Sequence, residues 1–320
     1  MNTTIFSRKN LLWTVFIVAL FTLIEVLMMA DIIGAYYKIT LMLIGINVIL
    51  AVGLNIIIGI TGQFSLGHAG FMSVGAYSCA ITIKMFPTWW GFGLGILIGL
   101  GITFVIALLV AIPTLRLKGD YLAIATLGVG EIIRIVILNM NITNKAAGLS
   151  SIPMLNSFPL LFGFATLSVI LSANFKNSAV GRACIGIKED EIAAEAMGIN
   201  TTRYKTMAFV FGALLASVAG ALYASTFYVI KPESFGFAKS IDILVIVVFG
   251  GMGSLTGSVV ATLALGVISL LLQPFAELRM IIYAAALIAV MVLRPQGLMG
   301  NYEFSLPKLF QRKKRKGDVA

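Results

Sequence analysis

The chain has one histidine among 320 residues, His68, and it stands in a run without charge: Gly62-Gln63-Phe64-Ser65-Leu66-Gly67-His68-Ala69-Gly70. An imidazole there could shuttle protons or ligate a metal, but beside small residues it more ordinarily hydrogen-bonds within a bundle. Glu131 and Arg134 stand at i, i+3 in the apolar run 121–138, on one helix face where they can pair. That pair reads as a packing element, with a transported-ion site as the alternative. Glu25, near the outer end of the run 11–30, is expected at the interface or paired within the bundle. No nucleophile–base pair and no cluster with metal-ligand spacing occurs, so no catalytic residue, metal or cofactor is implied. The chain also lacks G-x-x-x-x-G-K-[ST] and cannot hydrolyse ATP through a phosphate loop. What remains is recognition chemistry. Non-helical backbone at membrane depth survives only against protein or a wet cavity, and there its free N–H and C=O groups can face a polar solute. Gly62, Gln63, Ser65, Gly67 and His68 are candidates for a transport pathway, with Gly253 and Ser254 from a second run, Gly250-Gly251-Met252-Gly253-Ser254-Leu255-Thr256-Gly257. A tight glycine turn is the alternative for the first run.

These residues need a membrane frame. The chain is 59% hydrophobic and 11% charged, against about 25% charged in a soluble domain, so it is an integral membrane protein. Apolar runs at 11–30, 39–60, 70–84, 89–112, 121–138, 158–175, 207–230, 242–249, 259–272 and 280–293 predict an all-α polytopic bundle of about ten transmembrane helices, most near the length a hydrocarbon core demands. The bundle is broken near 61–70 and 250–257. The first run lacks an A-x-A site before Asp31 and is expected to be retained rather than cleaved. Residues 1–300 form one transmembrane domain, and 301–320 a basic tail. The net charge of +10 does not indicate nucleic acid. Arg8-Lys9, Arg116 and Lys118, the bases of 176–205 and those of 294–316 alternate with apolar runs, a positive-inside pattern that sets both termini in the cytoplasm. Bases at 311–316 suit anionic membrane lipid. Cys79 in a span and Cys184 in a cytoplasmic loop are not expected to form a disulfide.

The longest polar interval between apolar runs is 176–205. Its middle predicts a short amphipathic helix. Glu189, Asp190 and Glu191 open it, where acids suit the helix dipole, and Gly198 supplies a left-handed stop. Ile192, Ala196 and Ile199 share one side, with Ala193 and Met197 beside them, and Asn200 or Thr201 caps the following helix. An Ala-Ala surface lets another protein's backbone approach closely.

Taken together, the motifs resemble the branched-chain amino acid permeases of ABC importers, specifically their M-type subunit. Gly62-Gln63-Phe64-Ser65-Leu66-Gly67-His68-Ala69 is similar to G-Q-x-S-L-G-H-A, and Leu115 through Gly128 to R-L-x-G-x-Y-x-A-I-x-T-L. Glu191-Ile192-Ala193-Ala194 through Gly198 resembles E-A-A-x-x-x-G with the Glu one residue early, while Gly250-Gly251-Met252-Gly253-Ser254 and Arg294-Pro295-Gln296-Gly297-Leu298 match C-terminal signatures. The resemblance implies a permease subunit importing branched-chain amino acids in a bacterial or archaeal cytoplasmic membrane. Its partners would be an H-type permease, two ATP-binding subunits seated through Glu191, Ala193, Ala194 and Gly198, and an extracytoplasmic binding protein. One departure lies in the outer loop, where Asn144 and Lys145 take the glycine pair of T-G-G-x-x-G-L. A permease for urea or short amides, an ion-coupled secondary transporter using His68, Glu131 or Glu25, and a membrane-embedded enzyme are the alternatives.

Overall fold

With no water at membrane depth, a spanning backbone must satisfy its own N–H and C=O groups, and apolar runs of this length do so as helices. The computed structural model describes residues 34–271 other than 116 and 118, residues 297–300, and scattered helical positions between 19 and 28 and between 285 and 292. Most of the expected first and tenth spans, Arg116, Lys118, residues 294–296 and the tail 301–320 therefore lie outside the described residues. Described residues form α1 (Ala35–Asn55), α2 (His68–Met85), α3 (Trp89–Thr114), α4 (Asp120–Asn139), α5 (Phe158–Asn177), α6 (Ala179–Glu189), α7 (Glu191–Ala196), α8 (Thr201–Thr226), α9 (Phe237–Gly250) and α10 (Leu255–Leu271). Among them there is no strand, only an isolated antiparallel bridge between Leu149 and Ile230.

α2 and α8 form the centre. A Cβ on Gly75 would collide with the Ser217 carbonyl and one on Gly220 with that of Met72, so the glycines let these backbones meet. Phe71 and Phe209 then pack edge to face at 5.7 Å. α2 is buried along nearly its whole length, which explains why it is the least lipid-like of the expected spans: it faces protein. α3, by contrast, exposes Trp90, Leu97, Val105 and Leu109, as a lipid-facing helix should.

Among the described residues, five helices are long and apolar enough to cross a membrane, and α9 with α10, bent by 117°, makes a sixth if the pair counts as one. The sequence expectation for 242–249 and 259–272 was two separate crossings. α9 has only 14 residues, short of the roughly 17–25 a crossing needs. On the opposite face, the Leu149–Ile230 bridge (3.0 and 2.9 Å) and Asn156 Nδ2 donating to Thr226 Oγ1 at 2.7 Å pin the 140–157 loop to the end of α8. In that loop Asn144 and Lys145 have φ of 59° and 53°. A left-handed backbone favours glycine, which the resembled motif T-G-G-x-x-G-L carries at both positions.

Candidate functional site

The 176–205 interval folds as two helices rather than one. Ser178 Oγ accepts from Gly181 N at 3.1 Å and starts α6, whose Gly181, Cys184 and Ile187 are buried. Gly181 and Gly186, poor helix formers inside α6, had hidden this helix, whose fully buried stripe is only three residues. Burial pushes the Cys184 thiol up to about 11, so it remains protonated and inert. Glu189 ends α6, and Asp190 caps α7 by accepting from Ala193 N at 3.0 Å. Gly198, φ +81°, stops α7 as expected, and Asn200 caps α8 through Arg203 N at 3.0 Å.

α7 is clipped to α8 twice. Lys205 Nζ lies 2.6 Å from Glu191 Oε1, and Thr201 Oγ1 donates to Glu195 Oε1 at 2.7 Å. This orientation splits the alanine pair: Ala194 turns inward at 7% exposure, while Ile192 and Met197 stand out at 78% and 82%. Successive helical residues are about 100° apart, so neighbours such as Ala193 and Ala194 do not face the same way. The surface offered is therefore Ile192, Ala193, Ala196 and Met197, with Ile199 half-buried. Glu191 serves the clip to α8.

α1 runs into a buried π-helical turn, Ile56–Ile60, and residues 62–67 then form the expected non-helical break before α2. Leu66 N donates to Thr126 Oγ1 at 3.0 Å and Ala69 N to Ser240 Oγ at 3.1 Å, fixing the break against α4 and α9. A Cβ on Gly67 would collide with the Thr126 carbonyl, so Gly67 serves a close approach of chains. Ser65 is buried. Gln63 is 3% and His68 1% exposed. Among the described residues, neither side-chain amide atom of Gln63 has a hydrogen-bond partner, and the His68 imidazole at the start of α2, beside the Leu50 backbone, makes no hydrogen bond of good geometry. Buried polar groups are nearly always paired; Tyr77, Thr103 and Ser172 also carry unpaired buried atoms, and Gln63 and His68 stand together at the first break.

The second break is a turn, with Gly251 and Gly253 at φ +111° and +100°. Ser254 Oγ accepts from Gly257 N at 3.0 Å and caps α10. Asn55, the last residue of α1, holds this turn. Its Nδ2 donates to Ser254 O at 2.8 Å and Ser258 Oγ at 2.6 Å, and its Oδ1 accepts from Gly253 N at 2.8 Å. The described end of the Arg294–Leu298 motif closes the same turn, with Leu298 N donating to Phe249 O at 2.8 Å. Asn55 was not among the pathway candidates above; an amide inside an apolar run was the available signal.

Elsewhere, Arg134 Nε lies 2.7 Å from Glu131 Oε2, and Glu131 Oε1 accepts from Phe237 N at 3.1 Å. The ion pair is thus a packing element that also caps α9. Lys239 Nζ donates to Asn47 Oδ1 at 3.0 Å.

A family model described as branched-chain amino acid transport system / permease component matches residues 36–291. The chain is 36% identical over 267 residues to the high-affinity branched-chain amino acid transport system permease protein LivM of Salmonella typhimurium, covering 72% of this chain and 62% of that protein. It is also 36% identical over 269 residues to LivM of Escherichia coli, with the same coverage of both chains. The match to the permease protein LivH of Salmonella typhimurium is 36% over 135 residues, 42% of this chain and 44% of that protein. The chain thus spans less than two thirds of the LivM relatives it matches. No solved structure matches it.

Proposed function

We propose a function on one premise: the chain belongs to the family of permease components of branched-chain amino acid transport systems. It is one permease subunit of an ATP-driven importer that carries branched-chain amino acids across the cytoplasmic membrane. It pairs with an H-type permease and receives substrate from an extracytoplasmic binding protein. Two ATP-binding subunits drive it. In this arrangement the chain makes about ten passes in one domain, 1–300, with both termini and the basic 301–320 tail in the cytoplasm.

The observation that carries the reading is α7. A short capped helix clipped to α8, with Ile192 and Met197 out in solvent, has the form of a surface built to enter another protein's groove, since large apolar groups clustered in the open mark interaction sites. Closure of the ATP-binding subunits would move α7 and, through its clips, α8 against the bundle. The first break, Gly62–Gly67 with His68, supplies the pathway: Gln63 and His68 offer unspent hydrogen bonds to a passing amino acid. Gly253 and Ser254 act as the hinge beside it. Substrate affinity resides mainly in the binding protein, and the permease needs only a weak path.

The test is leucine uptake by proteoliposomes holding the whole complex. Uptake that needs ATP and the binding protein is expected. Accumulation by this chain alone under a proton or sodium gradient would instead establish an ion-coupled carrier, and urea uptake in place of leucine would move the chain to the amide branch. For topology, Glu189→Cys should resist an impermeant thiol reagent in intact cells while Ala146→Cys reacts; the reverse pattern inverts the orientation.

A further inference from the structure

Lys176 ends α5, and Lys188 lies in the last turn of α6. Each reaches a backbone carbonyl far away in sequence. Lys188 Nζ donates to Gly59 O at 2.9 Å and Lys176 Nζ to Gly253 O at 2.6 Å. Gly59 lies in the π-helical turn that closes α1, and Gly253 in the turn that follows α9. The helix end at Gly59 leaves carbonyls without backbone partners and carries partial negative charge, whereas Gly253 O belongs to the turn just ahead of α10. An ammonium is the suited partner, and the resulting bonds are charge-assisted.

The two acceptors are themselves joined. Asn55, four residues before Gly59, holds Gly253 N and Ser254 O. A Cβ on Gly59 would collide with Asn55 Oδ1 and the Gly253 amide, so the two segments are in backbone contact. The links form a ring: α5 to Lys176, to Gly253, to Asn55, to Gly59, to Lys188, to α6 and back to α5. The last turn of α6 also rests on the first break, because a Cβ on Gly62 would lie 3.2 Å from Lys188 Cγ. α6 cannot shift without carrying both breaks or parting a lysine link.

We propose, on the reading of α7 as the docking helix, that Lys176 and Lys188 are positioning residues through which displacement of the α6–α7 segment reaches the two broken segments together. α7 receives the motion, and the lysines set whether the pathway follows it.

The experiment compares wild type, Lys176→Met, Lys188→Met, the double variant and the matching Arg variants in the reconstituted complex. It reads co-purification of the ATP-binding subunits, ATP hydrolysis and leucine uptake. Co-purification should match wild type, and ATP hydrolysed per leucine imported should rise about tenfold in the double Met variant. The Arg variants, which keep a charged donor, should restore the ratio to within about twofold. A structural role alone would lower hydrolysis and uptake in parallel at constant ratio; that result, a Met variant with the wild-type ratio, or Arg variants as defective as Met would overturn the proposal. Should the double variant fail to assemble, Lys188→Gln, which keeps a neutral donor, is read by the same ratio. Failure of the underlying functional reading is separate: the wild-type chain would not hold the ATP-binding subunits, or would import leucine without ATP.

Discussion

The two glycine-rich breaks look alike in composition and differ in their hydrogen bonds. The second is a closed turn: Ser254 caps α10, Asn55 takes Gly253 N and Ser254 O, and Leu298 N returns to Phe249 O. The first is extended over 62–67 and leaves Gln63 and His68 buried without hydrogen bonds of good geometry. Unpaired polar groups are costly inside a protein, and on them rests the proposed pathway role of the first break. Glycine marks where a helix can break. Hydrogen-bond accounting separates the proposed hinge from the proposed path.

The sharpest attack on that contrast is Asn55→Leu. It strips the second break of its clamp to α1, and each buried group left unpaired costs about 1–3 kcal/mol. The unfolding temperature in detergent should fall further than for any other single change named here. A variant as stable as wild type would mean the clamp is not formed.

Gly67→Ala comes next. Its methyl meets the Thr126 carbonyl, and forced overpacking costs about 1–3 kcal/mol. Thermal unfolding should register the loss. The backbone contact makes bulk at this glycine a packing lesion.

Gln63→Met and Ser254→Ala test the two breaks against each other. Gln63→Met removes orphaned polar atoms, so stability should hold or improve by up to about 1 kcal/mol while ATP-dependent leucine uptake falls. Ser254→Ala loses a helix cap worth about 1 kcal/mol, and uptake per folded complex should change little. The opposite pattern would exchange the roles of path and hinge.

Two left-handed positions give the smallest effects. Gly198→Asp should cost about 1 kcal/mol locally, because φ is +81° although space around it is open. It should loosen co-purification of the ATP-binding subunits, with Gly198→Asn milder. Full retention would detach α7 from docking. Lys145→Gly should stabilise by about 1 kcal/mol through relief of a positive φ, read as a rise in unfolding temperature with uptake intact.

Much was legible without coordinates. The apolar runs dictate helices because a membrane offers the backbone no other partner, and Gly198, Asp190 and Asn200 mark helix ends because caps and left-handed stops are local chemistry. The i, i+3 spacing sufficed for the Glu131–Arg134 pair, since both residues ride one helix. α6 was missed for the opposite reason: its stripe of Gly181, Cys184 and Ile187 makes sense only against the helices it covers.

The sequence by itself determined a helical membrane protein, the two places where its helices break, and the family its motifs follow. Those properties arise from hydropathy and from the φ freedom of single residues, which neighbours in the chain already set. The tertiary structure decided that Ala194 points inward, that Gly67 serves a crossing with α4, and that Lys176, Lys188 and Asn55 bind the breaks into one ring. Such contacts join residues as far as 203 positions apart. Their partners are chosen by how helices pack, and no local pattern carries that information.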